Sequence, residues 1–253
     1  MTIVAALYFA YLTVVGIVRR RLLAAALSAA AVVLIRTVGM PHVTPLVYLL
    51  AGYWLPALLV REPNLQLERQ LWEFDRKLFG VNGLARFERR APRIVIEYLE
   101  LAYLLCYAVV PAGYLCLVLT GREAIAIDRF WAIVLLASFV CYGLLPWMPT
   151  RAPRAIEPVR DAARSSVRTL NMAVLNRASV QWNTFPSGHT AASAATALAV
   201  GADMPFSGLA FAVIAVSIAA GSVVGRYHYA ADAITGAVVA AAAFLMASAA
   251  PGL

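Results

Sequence analysis

The chain has 253 residues, 62% of them hydrophobic and only 13% charged, with a formal net charge of +8 and a mean hydropathy of +0.78. Soluble domains hold about 45–50% apolar and about 25% charged residues, so this composition excludes one and describes an integral membrane protein. The positive charge is almost all arginine, scattered among loops between apolar runs. That scatter argues against nucleic acid as a partner and for membrane lipids with anionic, phosphate-bearing head groups.

Judged against the ~20 residues that cross a bilayer, up to eight apolar runs occur, at 2–18, 22–38, 44–60, 94–119, 129–147, 187–203, 206–224 and 229–249. Helix is the expected state of each, because lipid leaves backbone polar groups no partner outside their own segment. The expectation is an all-α, polytopic membrane helix bundle. The first two runs read as two spans, a single tilted hairpin or one long helix, and the chain as one membrane domain. The first run ends in Arg19-Arg20-Arg21, a retained span with a charged stop rather than a cleaved leader.

Between the runs, residues 61–93 mix Leu65, Leu67, Leu71, Trp72, Phe74, Leu78 and Phe79 with Glu68, Arg69, Glu73, Asp75, Arg76 and Lys77. That mixture predicts an amphipathic helix lying in the membrane interface. Cys106, Cys116 and Cys141 all fall in apolar runs and form neither a disulfide framework nor a metal set. Glu97 and Glu100, in the fourth run, either bond neighbouring helices or serve a transport path. The loop 148–189 holds Arg151, Arg154, Arg160, Arg164, Arg168 and Arg177 and leads into Pro186-Ser187-Gly188-His189. The alanine-rich stretches 190–202 and 237–249 predict close helix contact through small residues. With eight spans, 18 of the 21 Lys and Arg residues fall on one side. The positive-inside rule places that side in the cytoplasm, and the alanine- and arginine-rich composition fits a bacterial inner membrane.

Three clusters carry chemistry. His228 and Asp232 are four residues apart, which puts both on one face of a helix. A carboxylate there holds one imidazole nitrogen and leaves the other to attack an electrophile such as phosphorus. The Pro186-Ser187-Gly188-His189 turn opens a helix whose N-terminal amides and dipole suit phosphate oxygens. Ser187 adds a hydroxyl donor, and a protonated His189 can supply a leaving oxygen with its proton. Arg151 and Arg154, set between prolines, can clamp phosphate as forks. Arg226, two residues before His228, is a further candidate. The sequence contains no carboxylate cluster that argues for a metal or another cofactor.

This constellation resembles the type 2 phosphatidic acid phosphatase superfamily over roughly residues 44–249, six spans in that family, which implies residues 41–253 as the membrane domain and residues 1–40 as an added N-terminal transmembrane element. The family pattern is Lys-x6-Arg-Pro, then Pro-Ser-Gly-His, then Ser-Arg-x5-His-x3-Asp. The second motif is intact at 186–189. Of the third, His228, Asp232 and the downstream Gly236 match. The resemblance implies His228 as a nucleophile forming a phosphohistidine, Asp232 as its orienter and His189 as the acid. Ser187, the Gly188 amide and the first-motif arginines would hold phosphate oxygens, without a metal. It also implies a site facing the periplasm or lumen, opposite to the charge count. The departures are specific: Ser222 stands where the third motif has its arginine, with Gly221 before it. Trp147 or Leu144 stands where the first has its lysine, and Arg151 reads Arg-Ala-Pro. Fewer cationic grips resemble the inositol phosphorylceramide synthase and sphingomyelin synthase branch, which handles phosphodiesters. The expectation is a lipid head-group phosphotransferase. The alternatives are a lipid phosphate phosphatase acting on phosphatidic acid or an isoprenyl phosphate and, more distantly, a transporter.

Overall fold

The computed structural model describes residues 2–37, 43–156, 165–180, 182, 183 and 185–249. Arg160 and Arg164 of the arginine-rich loop lie outside them. Among the described residues the chain is all helix, and its one strand-like feature is an isolated bridge between Thr150 and Asn183. The helices are α1 (Thr2–Val18), α2 (Leu22–Thr37), α3 (Thr44–Trp54), α4 (Leu65–Phe79), α5 (Gly83–Arg90), α6 (Arg93–Leu104) and α7 (Val109–Leu119). They continue as α8 (Ala124–Leu144), α9 (Pro153–Ile156), α10 (Ser166–Ala178), α11 (Gly188–Asp203), α12 (Pro205–Val224) and α13 (Ala230–Ala249).

Two of the apolar runs are broken, and in both a proline accounts for the break. Pro111 has no N–H to bond the Tyr107 carbonyl, and its ring crowds that carbonyl. The run 94–119 accordingly divides into α6, with a 3-10 turn at Leu105–Tyr107, and α7, bent by 64°. Pro56 likewise cannot bond Gly52, and α3 tightens into a 3-10 turn over Leu55–Leu59. The Gly52 carbonyl instead accepts the Tyr8 hydroxyl at 2.8 Å. Tyr11 does the same for Gly143 near the end of α8, at 2.7 Å. With the Tyr8 ring stacked on Phe139 at 4.0 Å, α1 shares the core of the bundle. Residues Val4, Phe9 and Leu12 are buried in the same cluster as Phe130 and Trp131 of α8.

At the centre, α11 lies against α8, α12 and α13. It is made of alanine, serine and threonine on its buried faces. Lipid is as apolar as leucine, so helix association here depends on backbones approaching closely. A side chain at Gly208 of α12 would overlap the backbone of Gly201, and one at Gly221 would overlap the Leu99 carbonyl of α6. Large apolar side chains such as Leu119, Phe206, Leu209, Val216 and Leu245 face outward, as a lipid-facing surface requires.

Fewer helices meet the requirement for a full span than the eight apolar runs. Three do so by length and hydropathy, α8, α12 and α13, and α6 with α7 makes a bent fourth. Helices α1 to α3 are apolar but shorter, and α11 has 16 residues that include His189, Ser193 and Asp203. Its surroundings are other helices, which supply the apolar contacts that lipid would otherwise provide. Segment 61–93, expected in the membrane interface, forms two helices, α4 and α5, joined at Gly80 and Asn82, both with positive φ.

Candidate active site

His228 sits in the tight connection between α12 and α13. The amides of Tyr227 and His228 both donate to the Ser222 carbonyl, at 2.8 and 3.0 Å. These bonds satisfy the carbonyl end of α12 and turn the chain sharply, with Arg226 at φ +59°. Ser222, where the family pattern has arginine, thus serves as the hinge of this turn. Helix α13 begins at Ala230, so His228 precedes the helix rather than lying on its face. The turn still brings His228 Nδ1 to 3.3 Å from Asp232 Oδ2.

Asp232 is fully buried and its Oδ2 accepts two further bonds, from Asn183 Nδ2 at 2.6 Å and from the Tyr229 amide at 3.1 Å. Three donors on one oxygen fix the carboxylate, which in turn fixes the imidazole and leaves Nε2 for the cleft. Burial, and after it the Arg154 cation, push the His228 imidazole down to about 3. The ring is therefore neutral at physiological pH, with a lone pair available.

The Pro186-Ser187-Gly188-His189 turn is anchored from behind. The Ser187 amide donates to the Asp232 carbonyl at 2.9 Å, and Ser187 Oγ caps α11 by accepting from the Thr190 amide at 3.3 Å. The Phe185–Pro186 peptide is cis. Gly236 of α13 passes so close that a Cβ there would lie 2.5 Å from the Ser187 carbonyl oxygen. A Cβ on Gly188 would collide with the Tyr142 ring. Both glycines are where the turn needs no side chain. Held in this way, His189 faces His228 with ring centroids 5.7 Å apart and planes at 83°. Tyr103 and Tyr107 present their rings to His189, each at 5.8 Å.

An open cleft of about 370 Å³ lies over the two histidines. Tyr53, Tyr103, Leu175, Trp182 and Tyr227 wall it, with Arg154 as the guanidinium among its described lining residues. Arg154 lies 5.3 Å over the Tyr227 ring, a cation–π distance, and its amide donates to the Arg226 carbonyl at 3.1 Å. Tyr227 is itself stacked on Tyr103 at 3.9 Å.

The remaining sequence candidates are placed elsewhere. Ser187 and Gly188 are buried and are not among the described residues that line the cleft. The Arg151 fork is closed on Glu68, with Nε at 3.1 Å from Oε1 and Nη2 at 2.8 Å from Oε2. Arg226 lines a second cavity with Asp75, Trp72 and Arg76. Arg168 forms a buried ion pair with Glu100 at 3.0 Å and donates to the Gly225 carbonyl. Asn171 and Tyr227 also donate to Glu100. Glu97 receives Ser165 Oγ and the amides of Ser166 and Val167, at the start of α10. Both glutamates that could have marked a transport path are thus spent on holding α10 to α6.

Sequence reasoning missed Asn183, Glu68, Asp75 and the tyrosine walls. Asn183 lies in the loop already marked as the active-site loop, but a lone asparagine has no spacing that singles it out. Glu68 and Asp75 are seven residues apart, on one face of α4, yet the pattern cannot tell a buried carboxylate from a solvated one. Asp75 accepts from the Ala230 amide at 2.9 Å. Burial, opposed by that bond, raises its carboxyl to about 6.

A family model of the PAP2 superfamily matches residues 69–246, well over half of the sequence, and the chain belongs to that superfamily. Its members are phosphatases and phosphotransferases. No curated protein and no solved structure matches the chain.

Proposed function

We propose that the chain transfers a phosphate-bearing head group from one membrane lipid to the hydroxyl of another, through a phosphohistidine on His228. In the first step His228 Nε2 attacks phosphorus, the bond from phosphorus to the donor's alcohol oxygen breaks, and His189 passes its proton to that oxygen. In the second, the acceptor hydroxyl gives its proton back to His189 as its oxygen attacks phosphorus, and the bond to Nε2 breaks. Asp232 supports the positive charge on the imidazole while the intermediate lasts.

The observation that carries transfer, and a diester substrate, is the single guanidinium among the described residues of the cleft. Arg154 is the one cation among the described residues lining the cleft, while Arg151 is neutralised by Glu68 and Arg226 lines the other cavity. One cation balances a singly charged phosphodiester. A phosphomonoester dianion asks for more, and the aromatic walls supply contact area without charge. This supports the inositol phosphorylceramide synthase-like reading; we take residues 41–253 as its membrane domain and residues 1–40 as an addition whose first helix packs into the same core. Membership of the superfamily also favours hydrolysis of a lipid phosphate, in which water takes the acceptor's place.

Turnover of purified protein in mixed lipid micelles separates the two. Phosphatidic acid is offered alongside a phosphatidylinositol or phosphatidylethanolamine donor and a lipid alcohol as acceptor, with His228→Ala as control. A new lipid bearing the head group, without free phosphate, is the expected product. Free phosphate from phosphatidic acid would make the protein a phosphatase.

A further inference from the structure

The amphipathic helix α4 carries two carboxylates that docking onto the helix bundle does not require. Glu68 is only 4% exposed, and Asp75, half-buried, lies two turns further on, on the same face. Leu71, buried between them, already supplies an apolar docking contact. Burying a carboxylate costs free energy unless it is paired and hydrogen-bonded, so an apolar residue would dock the helix more cheaply. What distinguishes these two carboxylates is what they hold.

Glu68 accepts from the Arg151 amide at 2.6 Å and grips the Arg151 fork. One residue earlier, Thr150 is bridged to Asn183 by a pair of backbone bonds, and the Asn183 side chain holds Asp232. The Asn64 amide at the start of α4 secures the same strand by donating to the Pro149 carbonyl at 2.7 Å. A continuous chain of bonds therefore runs from α4 through 149–151 and Asn183 to Asp232 and His228. Asp75 reaches the other side. It takes the Ala230 amide, an N–H at the first residue of α13 with no partner inside its own helix, two residues after His228.

We propose that Glu68 and Asp75 are positioning residues for the chemistry at His228, so that α4 is part of the active site as well as a surface helix. The inference rests on the reading of His228 as the reacting group. Arg151 then acts as the fork through which Glu68 fixes the Asn183–Asp232 contact, not as a phosphate ligand.

The test uses the full chain in mixed micelles with a phosphodiester donor, with rates expressed per folded protein counted as the monodisperse fraction. Glu68→Gln and Asp75→Ala should each lower kcat about 10-fold or more, since small misplacements of reacting groups cost up to about 100-fold, while KM stays within about twofold. Asp75→Asn keeps an oxygen for the Ala230 amide and should stay within about threefold of the wild type, a rescue that a loss of charge alone would not give. Unchanged kcat per folded protein in Glu68→Gln and Asp75→Ala would overturn the proposal, even if less protein folds. His228→Ala separates the two layers. Surviving turnover there refutes the histidine reading itself. Lost turnover there, with normal kcat in the α4 variants, refutes the role of α4 alone.

Discussion

His228 is a nucleophile candidate because its environment keeps it uncharged while Asp232 keeps it aimed. An unperturbed imidazole would lose its lone pair as pH falls through 6.5, whereas burial and Arg154 move that event to about 3. With a phosphodiester substrate, whose own charge is constant, kcat/KM should not fall as pH is lowered from 7.5 to 5, since His228 keeps its lone pair and the acid role of His189 gains from protonation. A fall centred near 6.5 would mean that the reacting histidine is not in this environment. The same shift has a cost in stability. The unfolded chain takes up a proton below 6.5 and the folded one does not, so this residue's contribution is complete above 6.5 and is lost as pH drops toward 3. His228→Ala and Asp232→Asn should abolish turnover with the fold intact, measured as activity against thermal unfolding in detergent. Arg154→Ala should weaken substrate use by about 1.5–3 kcal/mol, the range for a hydrogen bond to a charged group, and a kcat/KM equal to wild type would remove Arg154 from the phosphate site.

Between elements, one close approach and one ion pair support the site. Gly236 lets α13 meet the Ser187 carbonyl, and that contact accompanies the bond from the Ser187 amide to the Asp232 carbonyl. Gly236→Ala would push a Cβ against backbone oxygen rather than a side chain able to turn away. We expect a loss of about 1–3 kcal/mol in stability, as for other overpacked cores, and a fall in kcat larger than for Gly201→Ala, whose Cβ would make only an ordinary van der Waals contact with the Gly208 Cα. Similar activity in the two variants would show that α13 and the Pro186–His189 turn are not held in register by this contact. The Glu100–Arg168 pair acts at the same scale, since it fixes α10 to α6 and supports Tyr227, on which Arg154 rests.

Across the whole molecule, α1 is joined to the bundle by hydroxyls that satisfy carbonyls. Gly52 loses its helical donor to Pro56, and Tyr8 replaces that donor. Tyr8→Phe leaves a buried carbonyl unpaired and should cost about 1–3 kcal/mol, read as a lower Tm in detergent. Removing residues 1–18 would in addition strip the Phe139 ring of its stacked partner, and should lower Tm further than Tyr8→Phe does. A truncated chain with wild-type Tm would mean that the first helix is an appendage rather than part of the core.

Composition alone settled the membrane character and the all-helical state, because lipid permits few other backbone solutions. The Pro186–His189 turn and the spacing of His228 to Asp232 were legible because each is a local pattern with a local chemical consequence. Arg154 was legible too, but not its separation from Arg151, for which sequence offers two equivalent forks. Only the folded chain decided that Glu68 takes one of them and leaves the other over the histidines. Only the fold shows that Asn183 completes the Asp232 contacts, that α11 lies enclosed by other helices, or that two carboxylates of an amphipathic helix turn inward. These are matters of partnership between residues from about 30 to about 155 positions apart. A side chain's charge and size are written in the sequence, whereas the neighbour that neutralises or orients it is chosen by packing.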